Sequence, residues 1–429
     1  MIERRVRLRD LAESTVKSGK LDNGVGWAVW PDARDAVLTV QIWVRVGSRD
    51  EQPNKTGLAH MLEHLMFRGT ETVPDGQFDA RMERMGASIN AATWVDYTYY
   101  TTTVQPGALR TVLELEADRF ANLKLVDDVF TAERSVVANE RRDSVDASPE
   151  ARLGEHFHQR ALAGSPYSWP TIGWTEDIAN YTLSDVIAFY HEHYAADRLL
   201  VTVCGNVDVT TVVSMLGETF GNLDRRSHGR PDRAGAFVAG VRDSLPLPIS
   251  SPRALVAWSA PARVDRRYAV RFALCELLAG SESARLVHRL EVERSLCLDV
   301  SMYTYPHDLE SMTELRLTLR PGVRAQRVTD IVFAELEALA ATPPPAAELE
   351  RVVRRMLTQD AMALASTTTR ATWMGESWIG FDNATGAFAL VDDIAAVTPA
   401  DISAEAARLA VRSSASVCHA TLAPRTEAA

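Results

Sequence analysis

Cysteine is scarce. The four present in 429 residues, Cys204, Cys275, Cys297 and Cys418, are scattered, and none forms a C-x-x-C pair. Neither a disulfide-stapled secreted domain nor a dithiol redox motif is therefore expected, and the four read as reduced, mostly buried thiols. Also missing is any run close to the ~20 apolar residues that a membrane-spanning helix needs. The first twenty residues start basic but have no continuous apolar centre, which argues against a secretory signal, while Glu3, Asp10 and Glu13 argue against an organelle transit peptide. A cytoplasmic protein with no membrane partner is the expectation. Positive charge is in deficit, with a net charge of −11. Nucleic-acid binding depends on clustered Lys and Arg, so no nucleic-acid partner is expected. No convincing G-x-S-x-G motif offers a serine nucleophile.

What is present is globular in composition, 46% hydrophobic and 24% charged. A chain of 429 residues is too long for one ordinary core, so two domains of roughly 200 residues are expected. An internal repeat supports the division. E-D-I-A-N-Y-T-L-S-D-V from Glu176 matches D-D-I-A-A-V-T-P-A-D-I from Asp392, a shift of 216 residues. The same shift carries the strand-like run Val37 to Val46 onto Arg253 to Arg263, with Trp43 one position from the counterpart of Trp258, and roughly carries Leu199 to Val207 onto Ala415 to Pro424. Arg225 to Gly240 is a charged stretch with Gly and Pro that suits a linker. The expected division is a domain over 1–225, a linker over 226–245 and a related domain over 246–429.

The chemistry is concentrated in Thr56 to Thr70, T-G-L-A-H-M-L-E-H-L-M-F-R-G-T. His60 and His64 stand four apart, so on a helix they lie about 40° apart on one face, with Glu63 on the same side. Two imidazoles at that spacing make a metal pincer, and a neighbouring carboxylate that cannot easily reach the same ion is placed to activate its water. Leu58, Leu62 and Leu65 form an apolar stripe that predicts burial. Thr56 is the expected N-cap, and Gly69 falls just past the last turn. Shifting His60 by 216 residues lands on Glu276, so the second half has no copy of this pair. Elsewhere, Phe78 to Met85 reads as helix, Gly86 to Val104 as one or two strands, Ala108 to Asn122 as a long helix, and a further helix starts near Asp127. His156 and His158, like His191 and His193, are two apart in helical sequence, so each pair is expected to diverge into surface or core roles.

The fragment G-L-A-H-M-L-E-H-L-M-F-R-G-T, with the order H-x-x-E-H of inverzincins, closely resembles the active-site helix of the pitrilysin, insulinase and mitochondrial-processing-peptidase family of zinc peptidases, M16. The resemblance covers nearly the whole chain and implies an α+β fold. Each of two homologous domains would be a mixed, mainly antiparallel β-sheet packed against helices, and the two would form half of a clamshell chamber. It implies one Zn2+ per chain, held by His60, His64 and Glu140, with Glu63 as the base in peptide hydrolysis. Glu133, seven residues and two helical turns before Glu140, would be a second acidic residue supporting the site. Gly86, Ala87, Ser88, Ile89, Asn90 and Ala91 would form the sheet edge that takes the peptide substrate as an added strand. Ala92 stands where many relatives carry an aromatic residue.

One departure concerns the second half. Members that work as one chain usually carry an Arg and a Tyr seven apart to help stabilise the oxyanion, and here those positions are Glu291 and Leu298. Donors at a developing oxyanion typically contribute several kcal/mol. The resemblance therefore implies a heterodimer whose partner lacks H-x-x-E-H but carries R-x6-Y, with a homodimer as the alternative. A noncatalytic peptide-binding or assembly subunit of the same fold is the competing reading.

Overall fold

A computed structural model describes residues 8–224, 235–309 and 311–422. The expected join overlaps 225–234, and this part of it lies outside the described residues. Two compact units are found. One gathers the described residues within 1–141, 169–232 and 360–389; the other gathers those within 142–168, 233–359 and 390–429.

The first unit is built on a six-stranded mixed sheet. Its strands are β1 (Lys17–Lys20), β2 (Gly26–Pro31), β3 (Leu38–Val44), β4 (Ser88–Thr93), β5 (Thr98–Val104) and β6 (Leu199–Gly205), in spatial order β1-β2-β6-β3-β5-β4. Only β2 and β6 run parallel. The run of β-branched and aromatic residues after Gly86 thus becomes a hairpin of two strands, and β4 is one of the two edge strands. β3 is buried at every position. On one face it packs among Leu58, Leu62 and Leu65 of the helix Leu58–Leu65 and Val112 and Leu113 of the helix Leu109–Ala121. On the other, Trp43 meets Ala371, Met374 and Trp378 of the helix Thr367–Phe381. That approach requires Gly375, because a Cβ there would sit within 1.9 Å of the Trp43 ring.

The second unit repeats the plan with five strands. They are β7 (Arg242–Leu247), β8 (Arg253–Ala260), β9 (Cys297–Tyr305), β10 (Ser311–Leu319) and β11 (Ala415–Leu422), in the order β7-β11-β8-β10-β9. Again a single pair, β7 with β11, is parallel. Leu199 and Ala415 open equivalent strands 216 residues apart. The capping boxes Thr182/Asp185 and Thr398/Asp401 keep the same offset, each Thr hydroxyl accepting from the third amide of its helix. The architecture is α+β, two related units of mixed sheet and helices. Among the described residues no helix is long and apolar enough to cross a membrane.

Candidate metal centre

The histidine helix Leu58–Leu65 has buried Leu58, Ala59, Met61, Leu62 and Leu65, which leaves His60, Glu63 and His64 on the other side. Its start differs from expectation. The capping position is Gly57, at φ 89°, and it has no side chain to offer. Thr56 instead donates its hydroxyl to Asp177 Oδ2 (2.5 Å) and accepts from the Trp174 amide (2.9 Å). The free amides of Gly57 and Ala59 donate to the two oxygens of Glu51, each at 2.8 Å. A carboxylate from the preceding loop therefore does what an N-cap side chain usually does, because Gly57 in left-handed backbone turns Thr56 away from the helix. Burial pushes the Glu51 carboxyl well up, opposed by those two amides.

A second helix, Asp127–Arg141, buries Phe130, Glu133, Val137 and Arg141 along one stripe. Glu140 lies at the edge of that stripe, with its side chain 44% exposed. The helix brings both glutamates to the histidines. Glu140 Oε1 is 3.8 Å from His60 Nε2, and Glu140 Oε2 is 3.4 Å from His64 Nε2. Glu133 Oε2 lies 3.4 Å from His64 Nδ1, the far side of the same ring. This is ion-pair distance, but the atom has no aligned hydrogen bond. Its other oxygen takes Arg68 Nη2 at 2.8 Å. The rings of His60 and His64 stand edge to face, 4.8 Å between centroids.

His60, His64 and Glu140 place one ligand atom each within 4.8 Å of one another, the only such group of three or more among the described residues. A tetrahedral zinc with bonds near 2.1 Å separates its ligand atoms by about 3.4 Å, and the observed 3.4 and 3.8 Å, each to a different Glu140 oxygen, are close to that spacing. Burial, and to a lesser degree the neighbouring His64 ring, pushes the His60 pKa down to about 3. The imidazole is thus neutral, with its lone pair free for a metal. The counterpart Glu276 is instead paired with Arg355.

Glu63 shares this side of the helix. Burial pushes its carboxyl pKa up, opposed by the Thr93 hydroxyl, which donates to Oε2 at 2.5 Å. Thr93 closes strand β4, and the sequence reading missed it. The signal was there, since Ile89, Ala91 and Thr93 alternate onto one face. A cleft of about 300 Å³ opens beside the site, lined by Glu63, His64, Phe67, Arg68, Asp79, Ile89, Asn90, Ala91 and Glu133. Gly86 (φ 67°) turns the chain into the strand. Ala87 follows, its amide bonded to Met82 O. Ser88 to Ala91 then pair with Thr103 to Tyr100 on one side only. Their other edge has no neighbouring strand among the described residues.

Of the remaining candidates, His156 and His158 both meet carboxylates of the second unit, Asp243 at 2.8 Å and Glu314 at 2.7 Å. His191 is exposed, whereas His193 is buried against Arg198. Leu298 is 48% exposed on an edge strand of the second sheet. Near Glu291, Arg285 and Arg289 are engaged with Glu335, and Arg285 also with Glu348.

Residues 29–174 match the family described as Insulinase (Peptidase family M16), and residues 180–356 match the Peptidase M16 inactive domain. The chain is 31% identical over 346 residues to the zinc protease PqqE of Helicobacter pylori, covering 78% of this chain and 77% of that one. It is 29% identical over 231 residues to the mitochondrial-processing peptidase subunit beta of Blastocladiella emersonii, covering 53% and 50%. Among solved structures, a protease from Helicobacter pylori superposes with a TM-score of 0.90 at 26% identity, over 95% of this chain and 99% of that one. The peptidase M16 inactive domain from Pseudomonas fluorescens, at 15% identity, shares the fold with a TM-score of 0.87, over 96% and 99%.

Proposed function

The chain belongs to the insulinase family of peptidases, M16, and from that premise we propose that it is a zinc endopeptidase subunit cleaving short or unfolded peptides. The observation that carries this reading is the convergence of His60, His64 and Glu140, with Glu63 beside them and an open strand edge a few residues away. His60, His64 and Glu140 would hold one zinc per chain. When bound, zinc supplies a Lewis acid that polarises the scissile carbonyl and acidifies water. Glu63, whose carboxyl is pushed up by burial, takes the proton of the attacking water and passes it to the leaving amine. Thr93 holds that carboxylate in place. Glu133 faces His64 Nδ1 at ion-pair distance, so its part is electrostatic support of that ring rather than proton transfer. Gly86 to Ala91 present the edge on which an extended peptide adds as a strand, with backbone bonds giving affinity and little demand on sequence.

Residues 1–225 form the metal-bearing half in this reading, and 246–429 its duplicate without metal. Glu291 and Leu298 stand where an Arg and a Tyr are needed, so the active species is a heterodimer with a subunit bearing R-x6-Y, or else a homodimer of low activity. Four buried cysteines, none in a disulfide, suit a reducing compartment, in keeping with a cytoplasmic location. The match of residues 180–356 to an inactive domain favours a second reading, a noncatalytic peptide-binding or assembly subunit. Zinc content and peptide cleavage, measured on the chain alone and with an R-x6-Y partner, separate the two. One zinc per chain with no cleavage in either state would support the second reading.

A further inference from the structure

The two helices that carry the candidate ligands are bridged by one segment, Gly173 to Asp177 at the start of the helix Thr175–Asn180, and it grips them at or near residues next to the ligands. Arg141 follows Glu140 directly and turns inward, 4% exposed. Its Nη1 donates to the Gly173 carbonyl at 2.8 Å, its Nε donates to the Thr175 hydroxyl at 3.2 Å, and the guanidinium lies 5.7 Å from the Trp174 ring centroid. The same segment holds the start of the histidine helix. The Trp174 amide donates to the Thr56 hydroxyl, and Asp177 accepts both the amide and the hydroxyl of Thr56, at 3.1 and 2.5 Å. Gly57 and Gly173, at φ 89° and 90°, touch backbone to backbone. A Cβ on Gly57 would lie 2.5 Å from the Ile172 carbonyl, and one on Gly173 would lie 2.5 Å from the Thr56 carbonyl. No side chain fits between them. From there Glu51 fixes the amides of Gly57 and Ala59, and Ala59 precedes His60.

Glu140 needs such an anchor. It sits in the last turn of its helix, and after Arg141 the backbone passes into a π-helix, Arg142–Asp146. The regular i→i−4 ladder therefore stops where the ligand must be held. Its side chain is 44% exposed, so packing does not fix it.

We propose that Arg141 and the segment 173–177, the start of the helix Thr175–Asn180 with the two residues before it, are positioning elements that set the separation between the histidine pair and Glu140. The proposal rests on the zinc reading above. Losing the Arg141 grip would let the last turn move against Thr56–His60, and the Glu140 carboxylate would leave its present 3.4–3.8 Å approach to the two imidazoles.

The test uses the full chain and reads zinc affinity by competition with a chromophoric chelator, beside thermal unfolding of the metal-free protein. Arg141→Met is expected to weaken zinc binding on the order of tenfold or more. Thr175→Val, which removes one anchor of Arg141 at an exposed position and is easily tolerated by the fold, gives a smaller loss in the same direction. Arg141→Lys recovers part of the affinity. Leu216→Ala, in the buried core of the same unit, lowers the unfolding temperature but leaves zinc affinity unchanged. Wild-type affinity in both Arg141→Met and Thr175→Val would overturn the proposal, as would an equal loss of affinity in Leu216→Ala. An unaltered chain that takes up no zinc would overturn the zinc reading itself.

Discussion

The Thr93 hydroxyl, at the end of the edge strand β4, donates to Oε2 of Glu63 at 2.5 Å. The strand edge and the base are thereby linked through a single bond. Burial raises the Glu63 carboxyl pKa, and this hydroxyl opposes the rise. Removing it in Thr93→Val raises the pKa further. Glu63 works as a base only when ionised, so activity is lost as pH falls through its pKa. The acid limb of kcat/KM is therefore expected to move to higher pH in Thr93→Val, with little change in rate on the alkaline side. A pH–rate profile for one fixed peptide checks this. An acid limb that stays in place would remove the assignment of that limb to Glu63.

Glu63→Gln keeps the size of the side chain and removes its basicity. General-base assistance typically contributes about 10²–10⁴-fold in rate, and a loss of that size in kcat is expected. The ligand set His60, His64 and Glu140 is untouched, so zinc stoichiometry stays at wild-type level by elemental analysis. Undiminished cleavage would sink the mechanism.

Glu133 lies 3.4 Å from His64 Nδ1 and 2.8 Å from Arg68. Carboxylates behind a ligating imidazole commonly contribute 10- to 100-fold in metal affinity, about 1.4–2.7 kcal/mol. Glu133→Gln is expected to weaken zinc binding by about tenfold and, since it leaves Glu63 in place, to restore much of its activity when zinc is in excess. Chelator competition and rates at raised zinc measure the two effects. A rate that stays low at saturating zinc would give Glu133 a direct role in proton transfer instead.

The parts of the fold that were legible in sequence are those whose signal is local and periodic. The histidine helix announced itself through Leu58, Leu62 and Leu65, all buried. The duplication was carried by the paired capping sequences around Thr182 and Thr398, which must keep their spacing to work. Glu51 was not legible as the cap of the histidine helix, because it reaches the Gly57 and Ala59 amides across a loop, and a carboxylate in a loop ordinarily reads as solvated. Thr56 has the sequence of a cap, but the backbone at Gly57 points it to Asp177. The helix Thr367–Phe381 seats on β3 through Gly375 against Trp43. A close approach of that kind depends on a partner more than 300 residues away and leaves no periodic trace.

The second unit offers the last prediction. Glu291 and Leu298 stand where the resemblance places an Arg and a Tyr, and the neighbouring Arg285 and Arg289 are committed to Glu335 and Glu348. Leu298 is 48% exposed, so a tyrosine there displaces no core. If missing donors limit the isolated chain, Glu291→Arg combined with Leu298→Tyr should raise kcat/KM for an unstructured peptide by at least about tenfold, since one oxyanion donor is typically worth 10²–10³ in kcat. The single substitutions should give much less, because two donors acting on one oxygen are strongly non-additive. An R-x6-Y partner subunit should produce the same gain in the unaltered chain and little more in the double variant. Initial rates across these four mixtures decide the matter. A partner that activates both forms equally would mean that it supplies something other than the missing pair.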